Sequence, residues 1–331
     1  MTLWKGPEID GISQSMIQKF RQCPYRFYLY SILGLQDSKE LHPNLIWGDV
    51  FHKGLEHYIK TRDLNFSVVE MLDYLKKEYP QAPSTYEIST KGLLQRFELT
   101  NYPKETNRET EVVFNEACRL SNGRLITLRG KLDVLGTNHP DFGRYLGEHK
   151  CKGYTDPVKT RKELITDLQV NIYCRVFNIE WIMYDLILIP EAVKWKPQRK
   201  YYESPQEYMT RLIQGDCGQS QMFPVVNNQH LWISNLQPYY LPQAEQDFYW
   251  KTTVDPFLIQ MCDFWDYVTQ PGFDHENPEV YNSLFYRTPA RMFNGSYTEN
   301  FECDYYKHLI GEEELSDLVP VPSMFSELED L

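Results

Sequence analysis

The stretch from Arg129 to Tyr173 constrains this chain more than any other. Apolar and polar residues alternate from Arg129, pass over a tip containing Gly136, Asn138, Pro140 and Gly143, and return to Glu148-His149-Lys150. Alternation bounded by turn residues is the pattern of a β-hairpin. Side chains on a strand point to opposite faces in turn, so Glu148 and Lys150 share a face and His149 points away. On the neighbouring strand Asp133 can face Glu148, and two carboxylates and an ammonium then meet at one point. Hard divalent cations take oxygen ligands, and Mg²⁺ is held by one or two carboxylates while it keeps waters and phosphate oxygens. A lysine beside such a cation can orient or deprotonate a water, or steady charge on a phosphate. That is the minimum set for metal-assisted phosphodiester hydrolysis, and a solvated surface hairpin is the alternative the three residues alone leave open.

The flanking patterns put this hairpin in an α/β fold, with a mixed β-sheet core flanked by helices. Alternation begins at Glu109 and runs through the turn Ser121-Asn122-Gly123 into the hairpin, an antiparallel meander. Residues 163–177 have helical spacing with Gln169 and Tyr173 on one face, and Trp181–Pro190 is a continuous apolar run suited to a buried strand. Upstream, Ser13 is a plausible cap for a first helix that Pro24 interrupts and Gly34 ends. A second helix from about Leu45 carries Gly48 and His52, and two more are expected over Val68–Tyr79 and Ser89–Tyr102. Ser204-Pro205-Gln206-Glu207 is a helix start with a capping box, and Leu241–Thr269 is a long helix. The expected organisation is a helical N-terminal lobe (1–108) carrying the histidine, a core (109–203), a helical, aromatic-rich part (204–311) and an acidic flexible tail (312–331).

Charge bears on the partner. The net charge of −12 is unfavourable for binding nucleic acid, but the last twenty residues hold seven acids and no Lys or Arg. From Arg144 to Lys200 there are eleven Lys and Arg against seven Asp and Glu, a basic zone around the hairpin. The acidic end, with Met324, Phe325, Leu328 and Leu331, reads as a solubilising tail, or as a docking or autoinhibitory segment covering that zone. No apolar run is long enough for a membrane span and no signal pattern opens the chain, so a soluble, cytoplasmic protein without a membrane partner is expected. Seven scattered cysteines without a CxxC pair argue against a disulfide framework or a zinc ribbon.

Five segments in order resemble the RecB-type exonuclease branch of the PD-(D/E)XK nuclease superfamily. Ser15 to Leu35, with Phe20, Cys23-Pro24-Tyr25, Phe27 and Gly34-Leu35, is similar to its N-terminal segment. Gly48 with His52 resembles its G-x-x-x-H helix, Gly130 with Asp133 its G-x-x-D strand, Glu148 with Lys150 its D/E-x-K strand, and Gln169 with Tyr173 its Q-x-x-x-Y helix. The resemblance implies a restriction-endonuclease-like core and a metal-dependent DNA exonuclease. Asp133, Glu148, His52 and the carbonyl of His149 would hold Mg²⁺ or Mn²⁺, and Lys150 would handle the water. Gln169 and Tyr173 would position DNA, helped by Lys152, Lys159, Arg161 and Lys162 of the basic loop. Relatives such as CRISPR-associated nucleases carry an iron–sulfur cluster on one cysteine near the Cys-Pro pair and three near the C-terminus. Here Cys23 is matched only by Cys303 and the distant Cys262, so no cluster is expected. No Walker A motif is present, so a helicase, recombinase or single-strand-binding partner would be a separate protein. The alternative is a catalytically silent or partner-dependent DNA-binding subunit.

Overall fold

The structure is a computed structural model that describes residues 4–36, 43–97, 102, 104, 107–153, 163, 166–192, 198–214, 225–226, 229–230, 232–235, 238–273 and 319–320. Its centre is a curled, mixed sheet with helices on both faces. The meander is formed by β3 (Asn107–Arg119), β4 (Leu125–His139) and β5 (Gly143–Lys152), all antiparallel. Helix α6 (Leu168–Phe177) then crosses back so that β6 (Trp181–Leu188) lies parallel to β5. The expected strand–helix–strand unit is thus present. In β6, Ile182, Tyr184 and Leu186 join one core while Met183 and Ile187 join the other. A strand buried on both faces needs a continuous apolar run, and Trp181–Leu188 supplies it.

Strand β4 has an unequal pair of edges. Strand β3 covers one edge over almost the whole length. The other edge is divided. Strand β5 pairs with its C-terminal part as far as Val134↔Gly147, and the two-residue β1 (Ile12–Ser13) pairs in parallel with Leu128 and Arg129. Between them, residues 130–133 face a fork in the sheet. The pleat also changes phase there. Leu132 lies in one core and Val134 in the other, although a regular strand would put both on one face. Opposite the change, Glu111 of β3 adopts the left-handed conformation (φ 55°), which a non-glycine residue takes only where its surroundings enforce it.

One face of the sheet carries α1 (Gln14–Gln22), the short α2 (Pro24–Phe27), α6, α8 (Gln243–Tyr249) and α9 (Asp255–Thr269), around Trp4, Ile17, Phe27, Leu146, Val254 and Leu258. The other carries α3 (Pro43–Thr61), α4 (Leu64–Glu78), α5 (Ser84–Leu94) and α7 (Pro205–Ile213), around Trp47, Phe51, Met71 and Leu212. Ser13 caps α1 as expected, its Oγ accepting from the Met16 N–H, and Ser204 with Glu207 forms the full capping box. Several helix boundaries differ from expectation, among them the starts of α4 at Leu64 and of α6 at Leu168. Helix α5 starts at Ser84 and ends at Leu94, and Tyr102 is not part of it but a buried residue whose hydroxyl reaches across to β6. The expected single helix to Thr269 is broken into α8 and α9 by a π-turn (Trp250–Val254), in which the Asp255 N–H donates to the Trp250 carbonyl. Pro256 has no N–H to continue the regular ladder, which explains the wider turn at that place. Of the acidic tail only Val319–Pro320 is described, paired with β2 (Leu35–Gln36); the rest of 312–331, like Lys159, Arg161, Lys162 and Cys303, lies outside the described residues.

Candidate active site

The site occupies the fork. Asp133 is the first residue of β4 beyond its last pair with β5, and its Oδ2 accepts a hydrogen bond from the His149 N–H at 2.8 Å. A strand residue directs its N–H and its carbonyl to the same edge, so the His149 carbonyl also faces the fork. Glu148 and Lys150 share a face, as the alternation requires, and the Lys150 ammonium donates to Glu148 Oε1 and, at 2.7 Å, to Gln169 Oε1 of α6. Glu148 is completely buried, and its second oxygen, Oε2, has no partner.

Helix α3 lies over the opposite side and brings His52 Nδ1 to 3.9 Å from Asp133 Oδ2. These two side chains keep 29% and 16% of their exposure, so they form the opening to solvent. Gly48, one turn before His52, is not sterically required: a Cβ there would meet Cys151 Cβ at an ordinary 3.6 Å. The close approach on this helix is at Gly54, where a Cβ would come within 2.7 Å of Met71 Sδ.

Tyr173, expected to position DNA, is largely buried. Its ring is only 5% exposed and fills the space left by the missing side chain of Gly130, where a Cβ would come within 2.9 Å of it and within 2.5 Å of Phe114. It packs edge-on against Phe114 with centroids 5.4 Å apart, and its hydroxyl takes a backbone hydrogen bond from Lys131 inside the fork. Gly130 and Tyr173 therefore act as a pair that props β4 open from beneath, and Gln169 is the member of the helix motif that reaches the site. Lys152 is half-buried at the end of β5. Cys23 caps α2, its Sγ accepting from the Arg26 N–H.

The sequence reading missed the support behind β5. His149 Nδ1 lies 3.1 Å from Asp185 Oδ2, within ion-pair distance but without the alignment of a hydrogen bond, and the Tyr102 hydroxyl donates to the same oxygen at 2.8 Å. The acid in the middle of an otherwise apolar Trp181–Leu188 run was the available signal, since a charge is rarely buried without a partner.

Electrostatics separates the two carboxylates. Burial, and then the Asp133 charge, pushes Glu148 up to about 8. Burial acts on Asp133 in the same sense, but His52, His149 and Lys150 outweigh it and hold the carboxyl below its usual range. Burial works against the Lys150 charge, yet Glu148 and Asp133 raise its pKa, so it is an ammonium. Burial also lowers His52, which leaves the neutral imidazole that a metal requires.

The sequence pattern of the PD-(D/E)XK nuclease superfamily matches residues 11–182, more than half of the chain. This chain belongs to that superfamily. No curated protein matches it. PD-(D/E)XK nucleases generally use divalent metals such as Mg²⁺ or Mn²⁺ to hydrolyse nucleic acids, and the residues fit such an ion. Glu148 Oε2 is a buried oxygen without a partner, and two carboxylates that oppose each other's ionisation gain from a shared cation. Among the described residues no group of three or more His, Cys, Asp or Glu side chains is placed to hold a metal ion.

Proposed function

We propose that the chain is a DNA exonuclease of the RecB type, hydrolysing phosphodiester bonds at DNA ends in recombination, repair or phage- and CRISPR-type DNA processing. The observation that carries this reading is the Lys150 ammonium held between Glu148 and Gln169 beside an unpartnered carboxylate oxygen in the fork. Asp133, Glu148, the His149 carbonyl and His52 would hold Mg²⁺ or Mn²⁺, which supplies Lewis-acid activation of the water and the phosphate. Lys150, fixed by its two acceptors, steadies charge on the phosphate and orients the water. Asp133 keeps the His149 backbone in place, and Tyr173 holds the fork open. A histidine in the ligand set favours action at ends, by the resemblance to exonucleases of this branch, and Mn²⁺ suits its softer nitrogen. Gln169 and Lys152 contact the DNA backbone, joined by the basic loop carrying Lys159, Arg161 and Lys162. A helicase, recombinase or single-strand-binding protein in the cytoplasm delivers the end.

The test is cleavage of end-labelled linear and closed-circular DNA, single- and double-stranded, with Mg²⁺, Mn²⁺ or EDTA, by wild type and Lys150→Ala. Loss of linear DNA alone, only with metal, is expected, with the variant slower by on the order of 10²–10⁴-fold. Nicking of circles would make the protein an endonuclease. Binding of DNA without cleavage by pure wild type would make it a silent or partner-dependent subunit.

A further inference from the structure

A groove of about 430 Å³ runs between α1 and the start of α6. Its α1 wall carries Gln14, Gln18 and Gln22, which recur every fourth residue and so form one stripe about 12 Å long. Gln14 Nε2 donates to Gln18 Oε1 at 3.0 Å, which aligns two amides along the groove. The facing wall includes Asp167 and Glu163. Arg21 also lines the groove, and its guanidinium is engaged by the Tyr249 hydroxyl and, at 5.0 Å, by the Phe257 ring. A phosphate entering here would meet two carboxylates against the single cation of Arg21. The edge of a nucleobase meets the opposite situation, with carboxylate and amide oxygens for its amino group and amide N–H groups for its ring nitrogens.

Both walls of the groove belong to elements that also border the fork. Helix α1 begins at the residue after β1, the strand that closes one side of the fork. Asp167 caps α6 by accepting from the Gln169 and Val170 N–H groups at 2.9 and 3.1 Å, and Gln169 in turn accepts from Lys150. The Asp167 charge is close enough to act on both Glu148 and Lys150. One rigid helical turn therefore links the groove wall to the lysine at the scissile phosphate.

We infer that this groove is a subsite for an unpaired base of the strand being cut, next to the scissile phosphate, and that it favours amino-bearing bases, adenine above all, over thymine. The inference deepens the nuclease reading above and rests on it. Glutamine pairs two-fold with adenine N6 and N7, and thymine offers no amino group to the carboxylates. A groove of this volume has no room for a duplex, so the substrate class is single-stranded DNA or a duplex end that has frayed.

The experiment compares dA, dT and abasic oligonucleotides of one length, with the full chain and with Gln14→Ala/Gln18→Ala. Two readouts are taken: kcat/KM with Mn²⁺, and Kd by fluorescence anisotropy. Wild type is expected to prefer dA by about 5- to 100-fold over dT and abasic strands, the range of one bidentate base contact. The double variant should bring dA down to the abasic level with an unaltered melting temperature, since both glutamines lie on the outer side of α1. Wild type indifferent to the base, or a double variant that keeps the preference, would overturn the inference. If no strand is hydrolysed while the dA preference in Kd persists, the nuclease reading fails and the groove assignment stands.

Discussion

At Glu148, a fully buried carboxylate has one oxygen on Lys150 and the other on nothing. A divalent ion should therefore stabilise the protein by mass action, by about 2.7 kcal/mol at a hundredfold excess over its dissociation constant. Differential scanning fluorimetry should show the melting temperature rising with Mn²⁺ or Mg²⁺ in wild type and hardly moving in Glu148→Gln. Gly130→Ala tests the prop beneath β4. The added methyl has no space between Phe114 and Tyr173, so a loss of about 1–3 kcal/mol is expected in denaturant titrations, with activity falling as Tyr173 is displaced. Lys19 provides a pH signature. Burial, helped by the Arg26 charge, lowers it to about 8, with the ammonium over the Tyr30 ring at 3.5 Å. A lysine depressed in the folded state is a penalty below its folded pKa, and the penalty is relieved as pH rises from about 8 towards the unfolded value. Wild-type stability relative to Lys19→Met should therefore increase over that window, which parallel denaturation curves at several pH values would reveal. The shared face of Glu148 and Lys150 was legible in the sequence because strand alternation fixes it. The burial of Tyr173 was not. It depends on α6 crossing over Gly130, a long-range contact that no local spacing encodes.

Among elements, the meander, β6 and the helix starting at Pro205 follow from alternation, apolar continuity and capping chemistry. Ser204→Ala should cost about 1 kcal/mol, because it removes the acceptor for the Glu207 N–H and half of the capping box. A smaller loss measured by chemical denaturation would mean that Arg211, whose guanidinium grips both oxygens of Glu203, already fixes this turn. The divided edge of β4 was hidden in the sequence. Strand β1 is two residues long, too short for any periodicity, and its Ser13 carries the stronger signal of a helix cap. The helix expected over Ser89–Tyr102 lies over Ser84–Leu94 instead, so that Phe97 and Tyr102 fall beyond its end. Both are in fact buried against His149, with ring centroids at 6.1 and 5.7 Å.

For the molecule as a whole, one sheet separates two cores, and the polar groups buried at that boundary tie them together. The Tyr102–Asp185–His149 cluster joins the chain before β3 to β5 and β6. Tyr102→Phe should cost about 1–3 kcal/mol by leaving the fully buried Asp185 with one donor fewer, a change that calorimetry would register. The α/β class was legible from the order of patterns along the chain. The sharing of N-terminal segments between both faces was not, because amphipathic stripes show that a helix is buried on one side and are silent about which layer receives it.

The divided edge of β4 also sets when this active site can exist. Ile12 pairs with Leu128, and the fork between β1 and β5 needs α3 from one side and α6 from the other. Contacts of such sequence separation form late and slowly. During synthesis the fork is incomplete until the chain has emerged past Phe177, the end of α6. A nascent chain therefore carries its acids and its lysine through the first half of translation without a site to use them.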